Sequence, residues 1–132
     1  MASIYKELPI ETSAETAWAV LRQPGEARTL FAPVLVDSHV DGDVRTVRFA
    51  NGMVVEERII TIDDERRRIV YAAVKGTPMT HHHASMQVIP DGEGRCCFIW
   101  ITDLLPDSIA SNIRPMIDDG SQALKTNLEQ NR

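Results

Sequence analysis

The sequence predicts an α+β protein in which seven antiparallel strands wrap around a long C-terminal helix, in the order β-α-α-β6-α. Six stretches of strand-forming residues follow one another between Val34 and Asp103, separated by short turn sequences. Such short links favour antiparallel neighbours, because parallel strands need long crossovers. Apolar residues recur at helical spacing near Ala14 and again beyond Asp107, which predicts helices on either side of the strands.

The N-terminal part predicts one strand and two helices. Residues Ser3–Ile10 alternate as a strand does. The sequence Thr12-Ser13-Ala14-Glu15 is a capping box, in which a hydroxyl and a carboxylate satisfy free amides at a helix start. The first helix is predicted over Ala14–Leu21 and ends at Pro24-Gly25. A short second helix is expected over Glu26–Phe31.

The rest of the chain predicts a meander and a terminal helix. The six expected strands are Val34–Val40, Val44–Ala50, Met53–Ile62, Arg67–Lys75, His82–Pro90 and Arg95–Asp103. The final helix is predicted over Asp107–Gln130 from a stripe of apolar residues. Pro115 should kink this helix or mark its true start, because proline removes a helix hydrogen bond.

The register of one hairpin decides which glutamate faces the interior. A two-residue turn would place Glu56 inside, opposite Val47, whereas a three-residue turn over Ala50-Asn51-Gly52 would place Glu57 inside, opposite Arg45. An isolated buried charge is costly, so an inward glutamate paired with an inward arginine is the tolerable arrangement.

Composition restricts the class of protein. With 132 residues, 43% hydrophobic and 25% charged, the chain is expected to form a single domain over residues 1–132. A net charge of -5 gives no electrostatic footprint for nucleic acid. Residues 1–20 lack the basic start and apolar block of a signal peptide, and no apolar run is long enough for a membrane span, so neither is expected. Cys96 and Cys97 are adjacent and form no disulfide framework. A cytoplasmic monomer or homodimer is expected.

A run of three histidines is the most conspicuous local feature of the sequence. His81 and His83 have spacing compatible with a metal on one strand face, but a site needs further ligands, and His39 is the only other histidine. We therefore expect no metal. His82 is expected to point inward, where a neutral imidazole could donate and accept hydrogen bonds. Phosphate-binding loops, zinc motifs and nucleophile elbows are absent from the sequence, and no cofactor is expected.

The order of elements is that of the helix-grip fold, and the chain resembles the START-like, Bet v1-like superfamily (SRPBCC), within it the polyketide cyclase/dehydrase-type small proteins. The motifs that carry the resemblance are Ser13–Leu21, Gly42–Arg45 with Asn51-Gly52, Glu57-Arg58-Ile59, Asp63-Asp64 before Tyr71, Pro90-Asp91-Gly92, Trp100 and Gly120–Lys125. The resemblance implies an internal ligand cavity. It also places the glutamate before Arg58-Ile59 inside, which favours the three-residue turn.

Strand parity and the resemblance together predict the cavity wall. The expected lining residues are Val47, Phe49, Met53, Val55, Ile59, Tyr71, Ala73, Met86, Phe98, Trp100, Met116 and Leu124. Arg45, Glu57 and His82 would orient a ligand by their polar groups. For Glu57, burial and Arg45 shift the pKa in opposite directions, and we expect the cation to prevail and keep the carboxylate ionised.

Three functions are compatible with this wall. The first is the binding of a small, mostly apolar molecule that is polyketide-, lipid- or aromatic-like. The second is a cofactor-independent enzyme resembling the cyclases and dehydrases, in which Glu57 or His82 takes a proton next to a carbonyl and Arg45 or Tyr71 stabilises the enolate oxygen. The third is a partner-binding regulator or co-chaperone, which predicts a small or filled cavity.

Overall fold

The predicted helix-grip architecture is confirmed in a computed structural model, which describes residues 1–130. The last two residues of the predicted 1–132 domain lie outside the described range. The strands are β1 (Ala2–Ile10), β2 (Leu35–Asp41), β3 (Val44–Phe49), β4 (Val54–Asp63), β5 (Arg68–Lys75), β6 (His81–Pro90) and β7 (Cys96–Leu105). The helices are α1 (Ala14–Leu21), α2 (Ala27–Phe31) and α3 (Ala110–Gln130), with 3-10 turns at Pro24–Glu26 and Asp107–Ile109.

The strands described form one antiparallel sheet in the order β1-β7-β6-β5-β4-β3-β2. Every neighbour from β2 to β7 is sequential because the connecting turns are short, and β1 then pairs with β7. Alternate residues point to the concave face, where α3 lies. Along β6, for example, Ala84, Met86 and Val88 are buried on that face.

The N-terminus of α1 differs in detail from the sequence expectation, and α3 begins before the proline that could have marked its start. The N-cap of α1 is Ser13, not Thr12, because the Ser13 hydroxyl accepts a hydrogen bond from the Thr16 backbone N–H at 3.1 Å. Glu15 does not complete a capping box; its carboxylate instead accepts from Arg67 at 2.8 Å. At the other end of the chain, Pro115 lies inside α3, which already begins at Ala110.

The β3–β4 hairpin adopts the three-residue turn. The Phe49 backbone N–H donates to the carbonyl of Met53 at 2.8 Å, and the Gly52 N–H donates to the carbonyl of Phe49 at 2.9 Å. Gly52 has a φ of +92°, a conformation that glycine adopts without steric cost. The resulting register places Arg45 opposite Glu57, which confirms the predicted pairing.

The ladder between β5 and β6 stops short of the ends of both strands. The paired residues run from Arg68–Gln87 to Tyr71–Ala84. Beyond that point the imidazole of His82 enters between the strands, and its Nδ1 accepts a hydrogen bond from the Ala73 N–H at 2.8 Å. The side chain thus supplies an acceptor for an amide that the sheet leaves without a main-chain partner on that side.

Candidate functional site

A cavity of about 280 Å³ lies between the concave face of the sheet and α3, partly open to solvent. Its wall is mostly apolar because inward-facing residues of several strands and one stripe of α3 converge on it. The predicted lining residues that the structure brings together there are Val47, Phe49, Met53, Val55, Tyr71, Ala73, Met86, Trp100 and Met116. Arg45, Glu57 and His82 also face this space.

Three predicted lining residues lie elsewhere. Phe98 and Leu124 are 0% and 1% exposed and belong to the packed core, and Ile59 is half-buried against that core. Phe98 lies one inward position before Trp100 on β7, and Leu124 lies one helical turn beyond Gly120 on α3. Strand parity and helical period predict which face a residue lies on, but not how far along the sheet or helix the cavity extends. At Phe98 and Leu124 the space between sheet and α3 is filled by the packed core.

The structure also adds wall residues that were not predicted. They are Ala27, Phe31, Val34, Leu35, Thr77, Pro78, Met79, Thr102, Ile109, Asn112, Ile113, Ile117 and Gly120. The α3 members share a helical stripe, a signal that could have found them. Ala27 and Phe31 are also four residues apart, as helical spacing requires, whereas the residues from the loop before β6 follow no period in the sequence.

An ion pair forms the polar part of the wall. Arg45 Nε donates to Glu57 Oε1 at 2.8 Å, and Nη2 of the same guanidinium lies 2.8 Å from the same oxygen. The two side chains are only 9% and 13% exposed. The guanidinium carbon of Arg45 also lies 5.0 Å from the centroid of the Tyr71 ring, a cation–π contact. Within residues 1–130, Glu57 Oε2 accepts no hydrogen bond, so this oxygen is available to a ligand.

Burial prevails over the cation at Glu57. Desolvation raises the pKa of this carboxyl above its ordinary value, although the charge and hydrogen bonds of Arg45 oppose the shift. The expectation that Arg45 would determine the direction is therefore wrong. The physical reason is that the carboxylate is almost entirely removed from water and spends only one oxygen on its partner. Glu57 consequently takes up a proton more readily than an exposed glutamate does.

Tyr71 and Trp100 form a bonded pair on the cavity wall. The Trp100 Nε1–H donates to the Tyr71 hydroxyl oxygen at 3.1 Å. Burial, together with the nearby Glu57, raises the pKa of Tyr71, so its hydroxyl keeps its proton at neutral pH. Because the oxygen already accepts from Trp100, the Tyr71 proton is the group that can serve a ligand.

His82 is a hydrogen-bond donor and not a base. Its Nδ1 lone pair is occupied by the Ala73 N–H, which assigns the proton of the neutral ring to Nε2. Burial first, and the neighbouring His83 and His81 second, lower the pKa of His82 to about 4. The ring is therefore neutral at pH 7, and the expected acceptor role of the imidazole is already used inside the protein.

The remaining histidines do not assemble a metal site. Among residues 1–130, no group of three or more His, Cys, Asp or Glu side chains could hold a metal ion. His81 is exposed and His83 half-buried on β6, whereas His39 is exposed on β2, with three strands between. No helix in the described part of the chain is long and apolar enough to cross a membrane.

Solved structures with this fold come from several sources. The chain is similar to an uncharacterised protein of Bacillus thuringiensis, at 20% identity over 96% of this chain and 98% of that one, with a TM-score of 0.87. It is similar to a START superfamily protein of Mycobacterium smegmatis, at 14% identity over 98% and 99% of the two chains, with a TM-score of 0.83. Norcoclaurine synthase of Thalictrum flavum, solved with dopamine and hydroxybenzaldehyde, matches at 19% identity over 99% and 88%, with a TM-score of 0.77.

At these identities the structural likeness shows the fold alone. Among curated proteins, no sequence matches the chain. A family model does match, described as polyketide cyclase/dehydrase and lipid transport, and it covers residues 1–129. Since that match spans nearly the whole chain, the protein belongs to the polyketide cyclase/dehydrase and lipid transport family.

Proposed function

We propose that the protein binds a small, mostly apolar molecule in the cavity between sheet and α3, with the polar end of that molecule on Glu57, Tyr71 and His82. The observation that carries this proposal is an open, apolar space with one unused carboxylate oxygen in its wall. Ligand pockets combine these two features, since apolar walls supply affinity and a few polar groups supply orientation. The family, which includes lipid transport, supports the same reading.

The volume limits the size of the ligand. The cavity has a volume of about 280 Å³. It lies near the lower end of ligand pockets, which begin at about 300 Å³. One substituted ring fits this space better than a long acyl chain, and the ligands solved with norcoclaurine synthase, dopamine and hydroxybenzaldehyde, are of that size class.

Filling the cavity should abolish binding. Ala73 lines the cavity, and Ala73→Leu adds three carbons to its wall without removing the backbone N–H that His82 accepts from. We expect propylbenzene, a neutral apolar probe, to bind the unchanged protein and to lose at least tenfold in affinity to this variant, as measured by isothermal titration calorimetry. Ala72→Leu is the matched control, because Ala72 is the adjacent residue on the opposite face of β5. Equal affinities in the two variants would place the binding site elsewhere.

A second function is favoured by the raised pKa of Glu57. A buried carboxylate with a raised pKa and a free oxygen is suited to take a proton from a carbon next to a carbonyl. The Tyr71 O–H and the His82 Nε2–H would then stabilise the enolate oxygen, and the same Glu57 carboxyl would return the proton to carbon. This role differs from the sequence expectation, since His82 is restricted to donation.

The proton transfer has a direct readout. In heavy water, the protein should catalyse deuterium exchange into the methyl group of acetophenone, followed by nuclear magnetic resonance. Glu57→Gln should slow this exchange by about 10²-fold or more, the usual contribution of a general base. Glu56→Gln removes the same charge from the neighbouring residue, which is paired with Lys75 at 3.6 Å, and should leave the rate unchanged. No exchange above the uncatalysed rate would leave ligand binding as the function.

The third function, a partner-binding regulator, predicts a small or filled cavity, and the cavity found is small but not filled. The open space beside Glu57 gives no support to that reading. Ligand binding therefore stands first and proton transfer second.

A further inference from the structure

We propose that the cavity selects uncharged ligands that carry a hydroxyl and a carbonyl at the same end, and that it rejects carboxylates and ammonium ions of the same size. This inference rests on the proposed binding function and specifies the chemical class of the ligand. It follows from how the charges in the cavity wall are already used.

The charge of the wall is balanced before any ligand enters. Among the described lining residues, the guanidinium of Arg45 and the carboxylate of Glu57 carry opposite charges 2.8 Å apart, and they neutralise each other. Nε and Nη2 of Arg45 both lie 2.8 Å from Glu57 Oε1, while Nη1 donates to the carbonyl of Pro24 at 3.4 Å. Its face is occupied by the Tyr71 ring. A ligand carboxylate would find no unpaired cation to replace its water.

An unpaired ion in such a wall is expensive. The effective penalty for taking an ion out of water in a protein is several kcal/mol, and attraction to a partner must offset it. A carboxylate beside Glu57 would add like-charge repulsion to that penalty. An ammonium at Glu57 Oε2 would meet the guanidinium that already binds Oε1 of the same carboxylate. Neutral ligands avoid both costs.

The polar atoms that remain are one acceptor and two donors. Glu57 Oε2 accepts, and the Tyr71 O–H and His82 Nε2–H donate. These groups surround one ring: the Arg45 guanidinium that holds Glu57 lies 5.0 Å from the Tyr71 centroid, and the His82 ring lies 5.7 Å from it. A hydroxyl can donate to Glu57 while a carbonyl on the same end of the ligand accepts from Tyr71 or His82. The rest of the molecule then faces apolar wall.

Four probes of similar size separate this inference from the proposed function. 2-Hydroxyacetophenone carries the hydroxyl and carbonyl, phenylacetate is the anion of its carboxylic acid isomer, 2-phenylethylamine carries the ammonium, and propylbenzene has no polar group. By calorimetry at pH 7.5, we expect 2-hydroxyacetophenone to bind at least tenfold more tightly than phenylacetate or 2-phenylethylamine. It should also bind more tightly than propylbenzene.

One substitution should invert the charge preference. Glu57→Gln leaves Arg45 as an unpaired cation in the wall, so phenylacetate should gain affinity. The dissociation constant of phenylacetate divided by that of 2-hydroxyacetophenone should fall at least tenfold. Glu56→Gln, with the same change in net charge outside the cavity wall, should keep the ratio of the unchanged protein. Near-ultraviolet circular dichroism checks that each variant is folded. If Glu57→Gln fails to fold, the ranking of the four probes on the unchanged protein still decides.

The outcomes are distinct. If propylbenzene binds but phenylacetate or 2-phenylethylamine matches 2-hydroxyacetophenone, the selectivity is refuted while the binding function stands. If propylbenzene binds as tightly as 2-hydroxyacetophenone, the polar groups of the wall do not recognise the ligand, and the inference also fails. If none of the four probes binds, the proposed function fails, and the inference fails with it.

Discussion

Replacing Arg45 by methionine is expected to lower the free energy of unfolding by about 3–5 kcal/mol. The variant keeps most of the apolar volume of the side chain but leaves the carboxylate of Glu57 buried without its cation. This loss of stability is caused by the uncompensated charge, and it does not measure the net contribution of the ion pair to the free energy of unfolding. Urea denaturation at pH 7 and 25 °C, followed by circular dichroism, measures it.

The pH dependence of this loss identifies its cause. Burial already raises the pKa of Glu57, and removing Arg45 raises it further, because only the opposing influence is lost. A glutamate whose pKa is higher in the folded state than in the unfolded state contributes its full stabilisation at low pH. That stabilisation is lost as the pH rises from the pKa of the unfolded state through the pKa of the folded state. The Arg45→Met variant should therefore be closer to the unchanged protein at pH 5 than at pH 8.

Two further variants test the same explanation. The double variant Arg45→Met with Glu57→Leu removes both charges and should recover most of the lost stability. Arg48→Met is the matched control on the exposed face of the same strand, and a surface substitution should change stability by no more than about 0.5 kcal/mol. Equal losses in Arg45→Met and Arg48→Met would contradict the assignment of a buried pair.

The sequence predicted this pair because a possible turn and the resemblance agreed, the resemblance placing the glutamate before Arg58-Ile59 inside. A glycine after Ala50-Asn51 can close a three-residue turn, and that turn alone brings Arg45 opposite Glu57. Alternation then follows along both strands, since side chains on a strand have a period of two. The architecture was predictable because turns, alternation and helical stripes are all short-range signals, whereas the register of this hairpin needed the resemblance to choose between two turns.

Which residues line the cavity, and how their pKa values shift, depends on distances between strands and helices that no local sequence pattern predicts. Phe98 and Trp100 share one face of β7, yet only Trp100 reaches the cavity, because the core fills the space in front of Phe98. The pKa of Glu57 likewise depends on how completely it is buried, which parity does not give. His82 was predicted to face inward, but its bond to the Ala73 amide arises only because β5 and β6 separate there.

That bond leads to the second large effect, which concerns acid. We expect the unchanged protein to lose up to about 3 kcal/mol of stability through His82 as pH falls from about 6.5 to 4. The pKa of His82 is about 4 in the folded protein, against an ordinary value of 6.5. Between these values the unfolded chain takes up a proton that the folded protein refuses. The stabilisation is therefore fully present above pH 6.5 and is lost as pH falls through this window.

His82→Asn should remove this acid sensitivity, because asparagine does not titrate and its side-chain oxygen can accept from the Ala73 N–H. Glu57 acts in the opposite direction over the same range, since protonating it favours the folded state, so the measured quantity is the difference between the two proteins at each pH. His39→Asn, an exposed histidine on β2, controls for the loss of an imidazole and should keep the acid sensitivity of the unchanged protein. Equilibrium urea unfolding at half-unit steps from pH 4 to 7.5 gives the comparison. Parallel curves for His82→Asn and the unchanged protein would show that folding does not lower the pKa of His82, and they would contradict the burial of a neutral imidazole at this position.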